Sequence, residues 1–227
     1  MHVYSPPLSP YLDVVYEDEH LLVADKQSGL LTVPGRGPEK QDCLVSRVAE
    51  TRPGANAVHR LDMETSGLVV IALNKESHGR ISRQFQERKV WKRYTAWIAG
   101  TPMEREGRID LPLICDWPNR PRQMVDHDIG KTAITDWQVE ETHADRTRVT
   151  LKPVTGRSHQ LRVHMMELGH PILGDRLYAP DDIQALSPRL MLHADALTFR
   201  HPATGQELQF TAPSTLLPNG PSETPNA

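Results

Sequence analysis

The stretch VHRLDMETSGLVVIAL, Val58–Leu73, joins a polar segment to an apolar run. Residues 67–73 (GLVVIAL) are apolar and rich in β-branched side chains, which predicts a central strand of a sheet. Arg60 and Asp62 lie two residues apart on the predicted loop before it. Such a loop at the mouth of a buried strand is well placed to act on a ligand. A surface ion pair of little energetic value is the alternative interpretation of this spacing.

Further helices and hairpins are predicted on both sides of this strand. Apolar alternation and turn residues predict hairpins over 14–26, 134–151 and 197–210, a strand over 90–99, and helices over 42–50, 74–88 and 158–168. Asp42 and Ser158 are the expected N-caps, and Gly169 is the expected glycine after the last helix. This order predicts an α+β fold on a mixed, largely antiparallel sheet flanked by helices and loops. Residues 1–13 are expected to form an arm, 14–213 a single domain, and the proline-rich 214–227 a disordered tail.

Composition excludes several classes of protein. The chain has 227 residues, of which 38% are hydrophobic and 24% charged, as in soluble globular proteins. No apolar run approaches the ~20 residues that span a bilayer, and the first residues lack a secretory pattern, so we expect the cytoplasm. Two distant cysteines do not make a zinc knuckle, and the histidines at 159, 164 and 170 miss the i,i+4 spacing of helical metal ligands. No nucleotide-binding or nucleophile-elbow motif occurs, so we predict no metal and no cofactor.

Basic residues are concentrated in one part of the chain. The net charge is −3, yet residues 80–93 contain six basic side chains and one acidic side chain, Glu87. Such a local cluster can bind nucleic acid whatever the total charge. A solvated helix face is the alternative explanation.

A second cluster of interest is KPVTGRSHQLRVHMMELGHPILGD, Lys152–Asp175. Arg157, following a glycine beside a predicted helix N-terminus, suggests a phosphate site. Leu161, Met165 and Leu168 form the expected inward stripe of the helix. Arg162 borders this stripe, and a buried arginine needs an anion, for which Asp62 is a candidate. An arginine on the helix surface is the alternative.

Five segments together resemble the RluA family of pseudouridine synthases. They are HRLDMETSG (59–67), the Lys92-Arg93-Tyr94 segment, TGRSHQLRVHM (155–165), GHPILGDRLY (169–178) and LMLHADALTFRHP (190–202). Their order and spacing agree from about Val14 to Pro213. One departure is Lys26-Gln27-Ser28-Gly29, where the family usually has Lys-Pro-x-Gly. The segment 109–123 and the short chain, with no S4-type RNA-binding domain, are most similar to the dual-specificity members.

The resemblance implies a pseudouridine synthase fold with an active-site cleft along the sheet, and an isomerase that needs no cofactor. It implies Asp62 as the catalytic carboxylate, Arg162 as the buried arginine that keeps it ionised, and Tyr94 as the tyrosine that stacks on uracil. Asp62 could attack C1′, attack C6 or remove the 2′ proton. Arg60 is expected to enter the space of the flipped base, and His59 to support the loop. Expected phosphate contacts are Arg80, Arg83, Arg88, Lys89 and Arg157.

The implied partners are structured RNAs, namely a tRNA anticodon stem-loop and a hairpin of large-subunit ribosomal RNA. We expect a monomer that does not engage a membrane. A non-catalytic RNA-binding protein on the same fold is the alternative function, and intact Asp62, Tyr94 and Arg162 argue against it. A metal-dependent hydrolase using the histidines has no ligand spacing to support it.

Overall fold

A computed structural model describes residues 4–214 and 216 of the chain. In chain order its strands and α-helices are β1 (Val14–Glu17), β2 (Leu21–Lys26), α1 (Leu44–Ala49), β3 (Asn56–Ala57), β4 (Ser66–Ala72), α2 (Lys75–Gln86), β5 (Trp91–Ala99), β6 (Glu106–Asp110), β7 (Leu113–Cys115), β8 (Gln123–Val125), β9 (Ile134–Thr142), β10 (Arg146–Pro153), α3 (Gln160–Glu167), α4 (Asp181–Ala185), β11 (Leu192–Arg200) and β12 (Glu207–Thr211). Most strand pairs are antiparallel, and β4 pairs with β11 in parallel. The α+β fold with a mixed, largely antiparallel sheet is therefore confirmed.

The chain folds as two compact units. The first comprises the described residues from Tyr4 to Arg93 together with His193–Ser214. Its strands follow the order β1-β2-β4-β11, with β3 beside β4 and β12 beside β11. All seven residues of β4 are buried, as expected of a central strand. Ile81 of α2 is fully buried and Phe85 is partly buried against the same core, so this side of the helix faces inward.

The second unit comprises Tyr94–Leu192 together with Leu216. Its strands follow the order β5-β10-β9-β6, and β7 and β8 form a separate two-stranded hairpin. Leu161 and Met165 of α3 pack with β5 and β10 in its core, and Leu168 is partly buried against them. Residues 160–165 are all buried, so α3 is enclosed on more sides than the predicted stripe required.

Both predicted helix N-caps are wrong by one residue. Cys43 caps α1, and its Sγ accepts a hydrogen bond from the Ser46 amide. The Asp42 carboxylate instead forms a bidentate ion pair with the buried Arg47. His159, not Ser158, precedes α3, and no side chain caps that helix. Gly169 follows the helix with φ 87°, as predicted for a glycine in the left-handed region.

Gly67 permits the close parallel pairing of β4 with β11. It has φ 114°, and a Cβ built on it would lie 2.3 Å from the carbonyl oxygen of Ala194. Ala194 is its register partner on β11. No residue with a side chain fits at this distance, which explains the glycine at the end of the HRLDMETSG segment.

The C-terminal end of the chain bears on the predicted disordered tail. Leu216 lies within the predicted tail, is buried, and accepts a hydrogen bond from Trp97 Nε1. The rest of the tail after Ser214 lies outside the described residues. Within the part of the chain that the structure describes, no helix is long and apolar enough to cross a membrane.

Candidate active site

The loop that carries Asp62 connects β3 to β4 and is held on both sides of the aspartate. On the N-terminal side, buried Leu61 pairs with the side chain of buried Thr32. The Leu61 amide donates to Thr32 Oγ1 at 3.2 Å, and Thr32 Oγ1 donates to the Leu61 carbonyl at 2.9 Å. One hydroxyl thus satisfies both backbone groups of the residue preceding Asp62.

On the C-terminal side of Asp62, the end of β2 and the segment that follows it donate hydrogen bonds to the carbonyls of the next two residues. Lys26 is 1% exposed, and its Nζ donates to the carbonyl of Met63 at 3.1 Å. The Gly29 amide donates to the same carbonyl at 2.8 Å, and Ser28 Oγ donates to the Glu64 carbonyl at 2.7 Å. The segment that departs from the family pattern therefore supports the loop through Lys26, Ser28 and Gly29. Gln27, at the usual proline position, bonds elsewhere, to the Pro10 carbonyl.

Asp62 itself is half-buried, and its carbonyl accepts a hydrogen bond from the Thr65 amide at 3.1 Å. Arg60 is exposed. Anchored backbone on both sides fixes the position from which the Asp62 side chain projects, whereas the Arg60 side chain is free to reach into solvent. Preorganisation of this kind is what a catalytic carboxylate requires.

His59 is a structural support of the loop. Its Nε2 accepts a hydrogen bond from the Val70 amide on β4 at 3.0 Å, and its ring stacks on Phe85 with centroids 4.5 Å apart. Burial, and then the charge of Lys92, lower the pKa of His59 to about 3. The ring is therefore neutral at physiological pH, as its role of hydrogen-bond acceptor at Nε2 requires.

Ser66 ends the loop and is bonded to the neighbouring strand. Its Oγ lies 2.8 Å from His193 Nδ1, and His193 Nε2 lies 2.8 Å from the carbonyl of Ala212. Both side chains are buried. Because a carbonyl can only accept, Nε2 carries the proton and Nδ1 accepts from the serine. The bond joins two register partners of the β4–β11 pair, so it fixes the start of β4.

In the second unit, Arg162 is buried as predicted, at 4% exposure. Its Nε donates to Asp175 Oδ2 at 2.8 Å and its Nη2 donates to Asp175 Oδ1 at 2.6 Å. Asp175 is fully buried, and its Oδ1 also accepts from the amides of Leu177 and Tyr178. The anion that a buried arginine needs therefore includes Asp175, a partner that was not predicted from the sequence. Asp175 lies in the GHPILGDRLY segment, whose resemblance to the family could have indicated it.

Tyr94 lies on β5 and is half-buried. Its ring packs against the core of the second unit, and its register partner on β10 is Leu151.

Gly174, next to Asp175, has φ 71°, and a Cβ there would lie 2.0 Å from the Arg189 carbonyl oxygen. The glycine thus permits the backbone turn that places Asp175 against Arg162 of α3.

The basic residues proposed for phosphate contact are exposed. Arg80 pairs with Glu76, and Arg83 and Lys89 both pair with Glu87. Such exposed pairs contribute little to stability, so phosphate can replace the carboxylates. Arg88 is exposed with φ 58°. Arg157 donates from Nε to the Thr132 carbonyl at 3.0 Å, which orients its guanidinium.

Over residues 4–214 and 216, no group of three or more histidine, cysteine, aspartate or glutamate side chains could hold a metal ion. His164 and His170 bond to neighbouring protein groups: His164 to Thr135 and the Leu111 carbonyl, His170 to the Ala99 carbonyl. These histidines have structural partners in the fold.

Comparison with known proteins places the chain in a family. The family described as RNA pseudouridylate synthase matches residues 20–167. This chain belongs to that family, whose members are isomerases acting on RNA. The likeness carried by the five sequence segments is thereby confirmed.

Individual relatives agree with this assignment. The dual-specificity RNA pseudouridine synthase RluA of Escherichia coli K12 is 54% identical over 215 residues, which cover 94% of this chain and 98% of the relative. The protein of the same name from Haemophilus influenzae is 50% identical over 212 residues, covering 93% and 97%. Among solved structures, human RNA pseudouridylate synthase domain containing 1 has a TM-score of 0.78 and 30% identity, covering 94% of this chain and 87% of that one.

Proposed function

We propose that this chain converts uridine to pseudouridine in stem-loops of two RNA classes, the tRNA anticodon arm and large-subunit ribosomal RNA, with Asp62 as the catalytic carboxylate. The observation that carries the role of Asp62 is the double anchoring of its loop, by Thr32 before it and by Lys26, Ser28 and Gly29 after it. The dual specificity rests on the resemblance and on the names of the relatives, which are dual-specificity RNA pseudouridine synthases. We further propose that the enzyme acts as a monomer in the cytoplasm.

The reaction breaks the N1–C1′ bond, turns the uracil, and joins C5 to C1′. The proton on C5 leaves, N1 gains a proton, and nothing is oxidised. Asp62 must be ionised to act, and a neighbouring cation favours the charged form of a carboxyl group that is withdrawn from water. We assign that part to Arg162, whose own orientation is set by Asp175.

The remaining roles concern the base and the backbone of the RNA. Tyr94 stacks on the uracil and its hydroxyl accepts the C5 proton. The exposed Arg60 fills the space of the flipped base, because a planar guanidinium both stacks and hydrogen-bonds. His59 keeps the loop in place. Phosphate contacts are assigned to the exposed basic side chains Arg80, Arg83, Arg88, Lys89 and Arg157.

The test is Asp62→Asn, which keeps the shape of the side chain and removes its charge. Turnover is measured as tritium released from C5-labelled uridine in a defined stem-loop, and binding is measured by gel shift. We expect turnover to be lost and binding to stay within about threefold, because binding rests on phosphates and stacking. Glu64→Gln, which neutralises another carboxylate of the same loop, is the matched control and should retain turnover. Normal turnover by Asp62→Asn would remove Asp62 from the catalytic role.

A further inference from the structure

Tyr178 lies at the junction of three parts of the second unit. Its ring is 5% exposed and belongs to a small core with Leu113 of β7 and Val163 of α3. The ring is therefore shared by the β7–β8 hairpin and by the helix that carries Arg162. It also follows the Asp175 turn by three residues.

The hydroxyl of Tyr178 joins the hairpin to the start of α3. The Gln123 amide, on β8, donates to Tyr178 Oη at 2.8 Å, and His159 Nδ1 lies 2.7 Å from the same oxygen. His159 precedes α3 with φ 53°, a left-handed conformation that is unfavourable for a residue with a side chain. A strained residue persists only where its surroundings hold it, and the Tyr178 hydroxyl is one such partner.

Tyr178 reaches Arg162 in two ways, once directly through its ring and once through the carboxylate of Asp175. The Tyr178 amide donates to Asp175 Oδ1 at 3.2 Å, the oxygen that also accepts from Arg162 Nη2. The Arg162 guanidinium carbon lies 5.1 Å from the centroid of the Tyr178 ring, within the range of a cation–π contact. The orientation of Arg162 therefore depends on Tyr178 through the ring and through the carboxylate.

We propose that Tyr178 is a positioning residue of the enzyme: it holds the Arg162 guanidinium against Asp175, and its hydroxyl fixes this arrangement to the hairpin strand β8 and to His159. The inference rests on the proposed function, in which Arg162 serves catalysis. Tyr178 is assigned no contact with RNA, so it acts on the rate of the reaction and not on the binding of substrate.

The test compares Tyr178→Phe with Tyr16→Phe. Tyr178→Phe keeps the ring and removes the hydroxyl. Tyr16→Phe likewise removes one hydroxyl hydrogen bond, from Tyr16 to Asp18 at 2.7 Å, but in the first unit. With rates normalised to the folded fraction, we expect Tyr178→Phe to lower kcat about tenfold, less than the ~100-fold that a 1 Å misplacement can cost. KM should change by less than about twofold, and Tyr16→Phe should leave both constants unchanged.

A double-mutant cycle then asks whether Tyr178 acts through Arg162. In an Arg162→Lys background the planar guanidinium is absent, so Tyr178→Phe should lower kcat by less than about twofold more. A merely structural role predicts the same tenfold loss in both backgrounds, and that result would overturn the proposal. An unchanged kcat in Tyr178→Phe alone would also overturn it. An inactive parent chain, by contrast, would refute the proposed function.

Discussion

Arg162→Met tests the most buried charge pair of the second unit. The substitution keeps a long side chain of similar reach and removes the guanidinium. It leaves Asp175, which is fully buried, without the two hydrogen bonds from Arg162 Nε and Nη2. Two backbone amides, from Leu177 and Tyr178, remain as donors to Oδ1.

The size of the loss follows from these contacts. Removing one partner of a buried ion pair costs roughly 3–5 kcal/mol. Because the two amides continue to stabilise the anion, we expect the lower end, about 3 kcal/mol. A typical domain has ~5–15 kcal/mol in total, so the variant should still fold at 25 °C. The free energy of unfolding is measured by urea titration followed by circular dichroism at pH 7.

A second variant separates the cost of leaving the Asp175 charge unpaired from the cost of losing the packing of the Arg162 side chain. Adding Asp175→Asn to Arg162→Met removes the charge and keeps an oxygen that accepts from the two amides. The double variant should therefore lose only about 1–2 kcal/mol, the scale of one or two neutral hydrogen bonds. It should nevertheless stay inactive on RNA, because Arg162 is absent. If the free energy of unfolding of Arg162→Met lies within about 1 kcal/mol of the parent, on the order of one neutral hydrogen bond, the buried pair does not stabilise the fold as expected. The same holds if the double variant is no more stable than the single one.

Three further outcomes are expected. RNA binding should weaken steeply with salt despite the net charge of −3. Replacing Arg83 and Arg88 together should reduce the slope of log Kd against log salt by about one unit per lost phosphate contact. If the Kd of the parent does not change with salt, these arginines are only a solvated helix face. The pKa of His59 falls to about 3 in the fold, from about 6.5 when unfolded. Its contribution to stability is therefore full above pH 6.5 and is lost as pH falls towards 3, by at most about 1.4 kcal/mol per pH unit. His59→Gln should remove that part of the pH dependence, and the same pH dependence in both proteins, in urea titrations from pH 4 to 7, would contradict this expectation. An isolated stem-loop of fewer than about 20 nucleotides should react nearly as fast as whole tRNA, since compact RNA-binding domains span ~16 base pairs. Arg60→Ala should slow the reaction of both substrates alike. If the minimal hairpins do not react while whole tRNA does, recognition extends to distant parts of the RNA.

The spacing of apolar residues predicted helices and strands well wherever the buried face repeats with the period of a helix or a strand. The β4 strand, the α2 helix and the three hairpins all appear in the structure. Short strands such as β6, β7 and β8 were missed, because three to five residues give too little periodicity. The N-cap of α1 was misplaced because Asp42 is engaged by Arg47, and tertiary partners override a capping preference.

The fold class, the family and the loop that carries Asp62 could be predicted from the sequence, because five segments in fixed order are specific and the apolar period of β4 is local information. The hydrogen-bond and ion-pair partners of the site could not. Thr32, Lys26 and Ser28 are about 29–37 residues from the backbone groups they hold, and Asp175 is 13 residues from Arg162. No periodicity encodes such distances. A buried polar group must find a partner wherever the folded chain brings one within about 3 Å, and that is settled only when the strands and helices have packed.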